Sequence, residues 1–509
     1  MAQLLDGLRV NRFRLLAGTA VLTAAVLTGG APHAGAPLTG RAECDRGVAL
    51  FEDARYRDAV LVFTRAREVD PDLHAAATRL IVRSLLRVGD FGRAEGEAGG
   101  LVTPTVGVED LALHGETLWS TGHFEEANAR YTTALALDPA HPASLHGMAR
   151  ILDARGKTAD ALVSVERAIE RERGVAEYHH TRAYLLERLG NYGVAADELE
   201  RYLRNLPRKG FKGQIKLARA RIKFLRHFHN RTPISMSDAV RRQVHVIPFR
   251  VEREKLFVKA SLNGRYEREL VVDTGAEMTV LSEDVAQMAR VYSVAETLSA
   301  GVGDVGLRRL KLARIARLKI GTLEVEHVPA MVKDPPLKKW PSADIDAFSP
   351  LALGLSMRVD YGAKELIVAR TLPKASGTPT MEAPLWVHRL ATVRGRLNGD
   401  RPAAFVVDTG GQAISISRTA AVGLEQLGRF RRIPLRVFGS SGWDRDAFLL
   451  PGVDLEVDDV RMAQTSLVVL NLRAPSVLLG YELGGILGHK FLSKYRVSLD
   501  LDEGMMRLD

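Results

Sequence analysis

Two aspartates in this sequence stand where a carboxylate is costly to put. Asp273 ends the apolar pair Val271–Val272 in "VVDTGAEMTVLS" (271–282), and Asp408 ends Val406–Val407 in "FVVDTGGQAISIS" (405–417). A strand that runs through a core and finishes on an acid leaves a charge where water is scarce. The two stretches are copies. "LNGRYERELVVDTGAEMTVLS" (262–282) recurs as "LNGDRPAAFVVDTGGQAISIS" (397–417), and Leu262, Asn263, Gly264, Val271, Val272, Asp273, Thr274, Gly275 and Ser282 all repeat 135 residues later without a gap. One Asp-Thr-Gly alone reads as an ordinary strand-to-turn transition; two in matched contexts at one offset do not. If two lobes face each other about a pseudo-twofold axis, Asp273 and Asp408 meet across it. Two carboxylates that close cannot both ionise cheaply, so one keeps its proton. The charged partner can take a proton from a water held between them, while the neutral one donates to a substrate carbonyl oxygen. That is amide hydrolysis through a tetrahedral diol, with no covalent intermediate. Gly275 and Gly410 let backbone N–H groups approach the carboxylates, and the Thr274 and Thr409 hydroxyls can cross-bond to the opposite lobe.

The elements that must carry these loops repeat with them. Asn-Gly at 263–264 and 398–399 suits a tight hairpin turn before each Asp-bearing strand. Alternating strand patterns follow in "RLKIGTLEVEHVPAMV" (317–332) and "DLEVDDVRMAQTSLVVL" (454–470), each preceded by a glycine-containing stretch, "AGVGDVG" (300–306) or "FGSSGW" (438–443). Each copy closes on a strand, "MRVDYGAKELIV" (357–368) or "YRVSLDLDEGMMRL" (495–508). The duplication therefore spans 245–372 and 383–509, two all-β lobes in tandem joined by a linker at 373–382. "GVGDVG" (301–306) also fits a dinucleotide fingerprint, but no buried strand precedes it and no helix follows, so it reads as a hairpin tip.

The first half repeats on another period. "YRDAVLVFTRAREVDP" (56–71) matches "FEEANARYTTALALDP" (124–139), pairing Ala59 with Ala127, Phe63 with Tyr131, Ala66 with Ala134 and Pro71 with Pro139. Ala94, Ala161 and Ala195 continue the series, with successive gaps of 35, 33, 34 and 34 residues. Each unit reads helix, turn, helix, and the second is the most degenerate. This resembles the tetratricopeptide repeat, in five units over 40–207. The resemblance implies an all-α solenoid with a concave groove for a protein partner; a spacer or dimerisation arm is the plainer reading. "GFKGQIKLARARIKFLRHF" (210–228) reads as a capping helix with Ile215, Leu217, Ile222 and Leu225 inward. Lys212, Lys216, Arg219, Arg221, Lys223 and Arg226 form its solvated face or a patch for anionic lipid. With "RTPISMSDAVRRQ" (231–243), read as a linker, it fills 208–244. His227 and His229 lack a third ligand at sensible spacing, so no metal and no cofactor is expected.

At 509 residues and 26% charged, the chain has an ordinary multidomain composition. Its net charge of +10 is spread along the whole length, and no nucleic-acid-binding pattern accompanies it. Arg9, Arg12 and Arg14 precede the uncharged stretch 15–31, and Ala34 and Ala36 follow in an A-x-A arrangement. Residues 1–36 thus read as a signal peptide, or as a signal anchor associating with the membrane through 15–31, since Pro37 disfavours cleavage after Ala36. An exported protein is expected, periplasmic, secreted or anchored facing outward. The lone Cys44 cannot form an internal disulfide. No G-x-S-x-G or H-E-x-x-H supports a serine or metal mechanism.

With both triplets in place, the second half resembles retropepsin-like aspartic proteases, of the bacterial type that adds a secretion signal and helical repeats. The most specific pieces are the two triplets and "GILGHKFLSKYRVSLD" (485–500). The resemblance implies that Ile486, Leu487 and Gly488 support the catalytic loop. It makes Gly301, Val302 and Gly303, with Gly439, Ser440, Ser441 and Gly442, flap residues closing over a peptide. The first lobe departs from the family: aligned backwards from its last strand, it puts Phe348 where the supporting glycine belongs, and a register through Leu353 and Gly354 would delete the supporting helix. Ala276 and Gly411 follow the triplets where many relatives carry a hydroxyl, so the shared proton should persist to higher pH and give a mildly acidic to near-neutral optimum. The expectation is an aspartic endopeptidase, monomeric with an intramolecular pseudo-dimer, its repeats recruiting substrate or partner. The rivals are a non-catalytic peptide-binding scaffold and a protease active only as a dimer through lobe 2.

Overall fold

The computed structural model describes residues 39–509 apart from 208, 304–305, 334–345, 376, 400 and 426–431. The apolar stretch 15–31 and the A-x-A pattern lie outside the described residues. No helix among those described is long and apolar enough to cross a membrane.

Helices pair along the first half as the small–large–small spacing demands. α1 (Gly40–Glu52) packs on α2 (Tyr56–Val69), and α3 (His74–Val88) on α4 (Phe91–Gly99). α5 (Val108–Ser120) pairs with α6 (Phe124–Leu137), α7 (Pro142–Ala154) with α8 (Thr158–Arg171), and α9 (Ala176–Arg188) with α10 (Tyr192–Asn205). Ala59, Phe63 and Ala66 of α2 and Ala127, Tyr131 and Ala134 of α6 are all buried. The fit leaves no spare room: a Cβ at Gly115 or Gly147 would come within 2.7 or 2.2 Å of the Tyr131 ring. α4 is the short member, nine residues ending in glycines that hold a helix poorly.

α11 (Lys212–His227) does more than close the array. Ala218, Ile222, Phe224 and Leu225 are buried, in one apolar cluster with Tyr192 and Leu199 on one side and Met278, Ala295, Leu310 and Leu312 of the following lobe on the other. The basic face is corrected at one position: Arg221 does not point to solvent but pairs with Glu187 and lies over Phe224. Segment 231–243 is likewise strapped down. Ser235 bridges to Glu326, Ile234, Met236 and Val240 pack on the lobe, and Ser237 caps α12 (Asp238–Arg242).

After β1 (His245–Pro248), lobe 1 contains β2 (Arg250–Glu252), β3 (Lys255–Leu262), β4 (Tyr266–Val272), β5 (Thr279–Ser282), β6 (Ser293–Ala300), β7 (Leu307–Ile320), β8 (Leu323–Lys333) and β9 (Ala347–Phe348). Their order is β2-β3-β4-β9-β5-β8-β7-β6, with β3 also pairing β7. β10 (Ser356–Asp360), β11 (Glu365–Ala369) and β12 (Met381–Pro384) follow. Lobe 2 contains β13 (Trp386–His388), β14 (Leu390–Leu397), β15 (Arg401–Val407), β16 (Ile414–Ser417), β17 (Ile433–Pro434), β18 (Val437–Gly439), β19 (Gly442–Asp444), β20 (Phe448–Val457), β21 (Val460–Leu470) and β22 (Gly485–Leu487). Its sheet runs β13-β14-β15-β22-β16-β21-β20-β17 with an added β14–β20 pairing, position for position the order of lobe 1. Asn263 and Asn398 hold φ +55° and +52° at the hairpins that open β4 and β15, the left-handed region an asparagine tolerates better than most residues.

The lobes share a third sheet, β1-β11-β10-β23-β24-β12, which takes in β23 (Val497–Asp500) and β24 (Met505–Leu508). Lobe 1 strand β10 pairs lobe 2 strand β23, Met357 opposite Leu499. Met381, inside the stretch read as linker, already pairs Leu508 there.

Candidate active site

Strand β4 delivers Asp273 and strand β15 delivers Asp408 to the seam between the lobes. Each is anchored by its own backbone: Asp273 N–H donates to the Phe348 carbonyl at 2.9 Å, and Asp408 N–H to the Leu487 carbonyl at 3.0 Å. The two loops then grip each other. Thr274 Oγ1 donates to the Val407 carbonyl at 2.6 Å and Thr409 Oγ1 to the Val272 carbonyl at 2.7 Å. Thr274 N–H donates to Thr409 Oγ1 at 3.2 Å, and Thr409 N–H to Thr274 Oγ1 at 3.1 Å. Both threonines are buried, so each hydroxyl serves as donor and acceptor in a closed lattice that fixes one lobe on the other.

This lattice sets the carboxyls side by side, each next to the glycine of the opposite loop. Gly275 and Gly410 have to be glycine here. A Cβ on Gly275 would stand 2.8 Å from the Asp408 carboxyl, and one on Gly410 would stand 2.6 Å from that of Asp273. The Gly275 amide donates to Asp273 Oδ1 at 2.9 Å; Gly410 and Gly411 amides donate to Asp408 Oδ1 at 2.9 and 3.0 Å. Burial and the adjoining Asp273 push the Asp408 carboxyl up to about 7, against the pull of the two glycine amides. One proton is therefore held between the two groups near neutrality.

The support beneath the loops differs between lobes, and the register corrects the sequence reading by one place. Val272 pairs Phe348 as Val407 pairs Leu487, so Ser349, not Phe348, occupies the slot of Gly488. In lobe 2 that slot admits no side chain: a Cβ at Gly488 would lie 2.5 Å from the Ala413 carbonyl, because His489 N–H reaches in to the Gly411 carbonyl. The short helix α13 (Glu283–Met288) follows β5 much as α14 (Arg418–Glu425) follows β16, Ser282 and Ser417 each accepting a backbone N–H in that first turn. In lobe 1 Ser349 is buried, and a 3-10 turn, Leu351–Leu353, replaces the α-turn His489–Leu492, so the helix is shortened rather than deleted. β9 also pairs β5 through Val280–Ala347 alone, where β22 pairs β16 at three positions. The side chain of Asp346 makes up the difference by accepting the Ser282 N–H at 2.7 Å and the Arg268 guanidinium. Ile486 sits in β22 opposite Val406, packed on the cluster around Tyr481.

The glycine-containing hairpins meet tip to tip. Ser441 N–H donates to the Val302 carbonyl at 2.8 Å, and Arg308 reaches the Ser440 carbonyl at 3.2 Å. Gly303, at φ +134°, faces the Ser441–Gly442 backbone so closely that a Cβ would come within 2.6 Å, and one on Gly301 or Gly439 would collide with Ser440 or Val302.

Three residues near the site were not singled out by the sequence. Glu277, four places after Asp273, is held by the Arg389 guanidinium at 2.9 Å. Arg389 adopts φ +64° at the β13–β14 turn, its N–H donates to Tyr184 Oη of α9 at 3.2 Å, and it also binds the Leu478 carbonyl. Lys333 ends β8 within electrostatic reach of Asp273 and Glu277. Comparing the copies position by position reveals it, since Lys333 faces Ser282 where Leu470 faces Ser417.

Three family models match this chain. Residues 258–340 match the family described as "gag-polyprotein putative aspartyl protease", and residues 393–491 match "Aspartyl protease". The two lobes are retropepsin-like aspartyl protease domains. Residues 118–185 match the tetratricopeptide repeat family, so the protease domains follow a repeat array. No curated protein matches the chain in sequence. Among solved structures, an aspartic proteinase from Irpex lacteus is 11% identical, covering 52% of this chain and 97% of its own, with a TM-score of 0.35. A tetratricopeptide-repeat protein of Thermus thermophilus is 20% identical, covering 33% of this chain and 93% of its own, with a TM-score of 0.30. The pilF protein of Pseudomonas aeruginosa is 19% identical, covering 36% and 82%, with a TM-score of 0.28.

Proposed function

We propose that the chain is an aspartic endopeptidase whose dyad, Asp273 and Asp408, is assembled within one molecule. The observation that supports this is the reciprocal threonine lattice between the two triplets, with Gly275 beside the Asp408 carboxyl and Gly410 beside that of Asp273. A peptide enters beneath the flap tips and presents its carbonyl to the protonated carboxyl. The ionised carboxyl takes a proton from water as that water attacks the carbonyl carbon, giving a gem-diol. Collapse of the diol returns a proton to the departing amine. The flaps supply backbone groups for strand-like contacts and keep bulk water away.

The repeats contribute by holding the lobes. Trp119, Tyr184 and Arg188, from α5 and α9, pack on segment 385–389 of lobe 2, with Trp119 and His388 ring centres 5.2 Å apart. A further protein partner would engage the repeats outside that contact. Export, by signal peptide or anchor, is part of the proposal and rests on residues 1–36.

The test is cleavage of an unbiased peptide mixture between pH 4 and 8 by the wild-type chain, Asp273→Asn and Asp408→Asn. Each substitution should lower the rate by about a thousandfold or more. Loss in Asp408→Asn alone would point instead to pairing of second lobes between two chains. Absence of any cut by a folded chain leaves the peptide-binding scaffold.

A further inference from the structure

The two halves of the cleft are built from copies of one unit, so residues that break the copy reveal what the cleft distinguishes. Two such breaks stand together. Glu277 of lobe 1 corresponds to Gln412 of lobe 2, and Lys333 to Leu470 by the shared register with Ser282 and Ser417. Lys333 shares a small recess with Ser299, Arg308, Arg309, Leu310, Ser440 and Ser441, roofed by the tip of the second flap. Its counterpart Leu470 lies in an apolar cluster with Leu472, against which Val302, Val437 and Ile486 pack.

Among the described residues, Lys333 has no close acidic partner. Glu277 is already engaged by Arg389, and among the described residues no carboxylate lies within ion-pair distance of the Lys333 ammonium. Burial and Arg308 lower its affinity for a proton while Asp273 and Glu277 raise it. A half-buried cation without a close acidic partner favours an incoming anion, and beside an ionisable dyad it also offsets the repulsion an acidic side chain would otherwise meet.

We propose that the lobe 1 side of the cleft selects an acidic side chain of the peptide, seated between Lys333 and Arg308, while the lobe 2 side around Leu470 selects an apolar one. This rests on the reading of the lobes as a peptidase. It makes Lys333 a specificity residue and gives the pseudo-symmetric cleft a direction in which a peptide must lie.

The experiment uses the full chain and fluorogenic octapeptides that carry Glu, Gln, Leu or Lys at one position on either side of the scissile bond. In wild type, kcat/KM for Glu should exceed that for Gln about tenfold or more on one side only, with Leu preferred on the other. Lys333→Leu, which installs the residue of the second lobe, should bring the Glu-to-Gln ratio to about one, and Lys333→Arg should keep it. The ratio is read within each variant, so a change in overall rate does not enter. A wild type indifferent to Glu and Gln, or a preference that survives Lys333→Leu, overturns the proposal. Fluorescence anisotropy of the same peptides on the Asp408→Asn chain separates the two readings. If nothing is cut yet the Glu peptide binds tighter in a Lys333-dependent way, the recess stands and the peptidase reading falls. If the Glu and Gln peptides bind alike there, the recess falls as well.

Discussion

In the proposed mechanism, the proton shared by Asp273 and Asp408 decides at which pH the site works. Burial and the neighbouring carboxyl hold it on Asp408 up to about pH 7. The residues after the triplets explain why little opposes that hold. Ala276 brings no hydroxyl, and at 411 a Cβ would stand 2.9 Å from Asp408 Oδ2, so only a backbone amide fits there. Below pH 7 one carboxyl is neutral and can donate; above it both are ionised, and neither can polarise the substrate carbonyl. The rate should therefore be sustained into the near-neutral range and then fall about tenfold for each further pH unit. A pH profile of kcat from 4 to 9 checks this. Activity confined to strongly acidic pH, or a rate unchanged up to pH 9, contradicts the assignment.

At the scale of elements, the loops are held by the threonine lattice rather than by the aspartates themselves. Thr409→Val deletes the donor to the Val272 carbonyl and the acceptor of the Thr274 N–H, leaving two buried groups unpaired at a cost of about 2–4 kcal/mol. Because the lattice sets the dyad geometry, kcat should fall at least about tenfold while Thr409→Ser, which keeps the hydroxyl, stays close to wild type. Denaturant unfolding and kcat on the three chains decide it, and equal effects of Val and Ser would remove the lattice from the account. The legibility of the sequence follows the same division. The triplets, the Asn-Gly hairpins and the helical repeats are local patterns doubled or multiplied along the chain, so each copy vouches for the other. The support under Asp273 lies one residue from where the sequence pattern puts it, because its slot is set by the pairing of Val272 with Phe348, 76 positions apart, and not by any nearby motif. Lys333 and Arg389 carry no local signal in the sequence for a related reason. A lysine at a strand end and an arginine in a turn are ordinary in sequence, and only the cleft and the contact with Tyr184 give them a role.

At the scale of the molecule, repeats and protease are one folded unit, which a reading of separate recruiting and cutting modules does not anticipate. The turns of the array are pressed onto lobe 2. Gly122, at φ +81°, leaves a Cβ only 2.8 Å from Ala404, and Glu482 N–H donates to the Ser120 carbonyl at 2.8 Å. Arg155 binds the Gly504 carbonyl at 3.0 Å and stacks 5.2 Å above Trp386. Trp386 is the centre of this contact: its indole N–H donates to Glu125 at 2.8 Å, and its ring packs 5.5 Å from that of Phe124. Removing it leaves a cavity between two bodies that each retain their own core, at a cost of about 3–5 kcal/mol. Calorimetry of the wild type should give one cooperative transition, because neither body unfolds without exposing the other's surface. Trp386→Ala should lower the midpoint and split the profile in two, repeats and lobes melting separately. Tyr184 and Arg389 lie on the same contact, so loosening it also frees Glu277 beside the Asp273 loop. The variant should lose part of its kcat without any change to the dyad. A single unshifted transition with full activity would show that the array only rests against the protease.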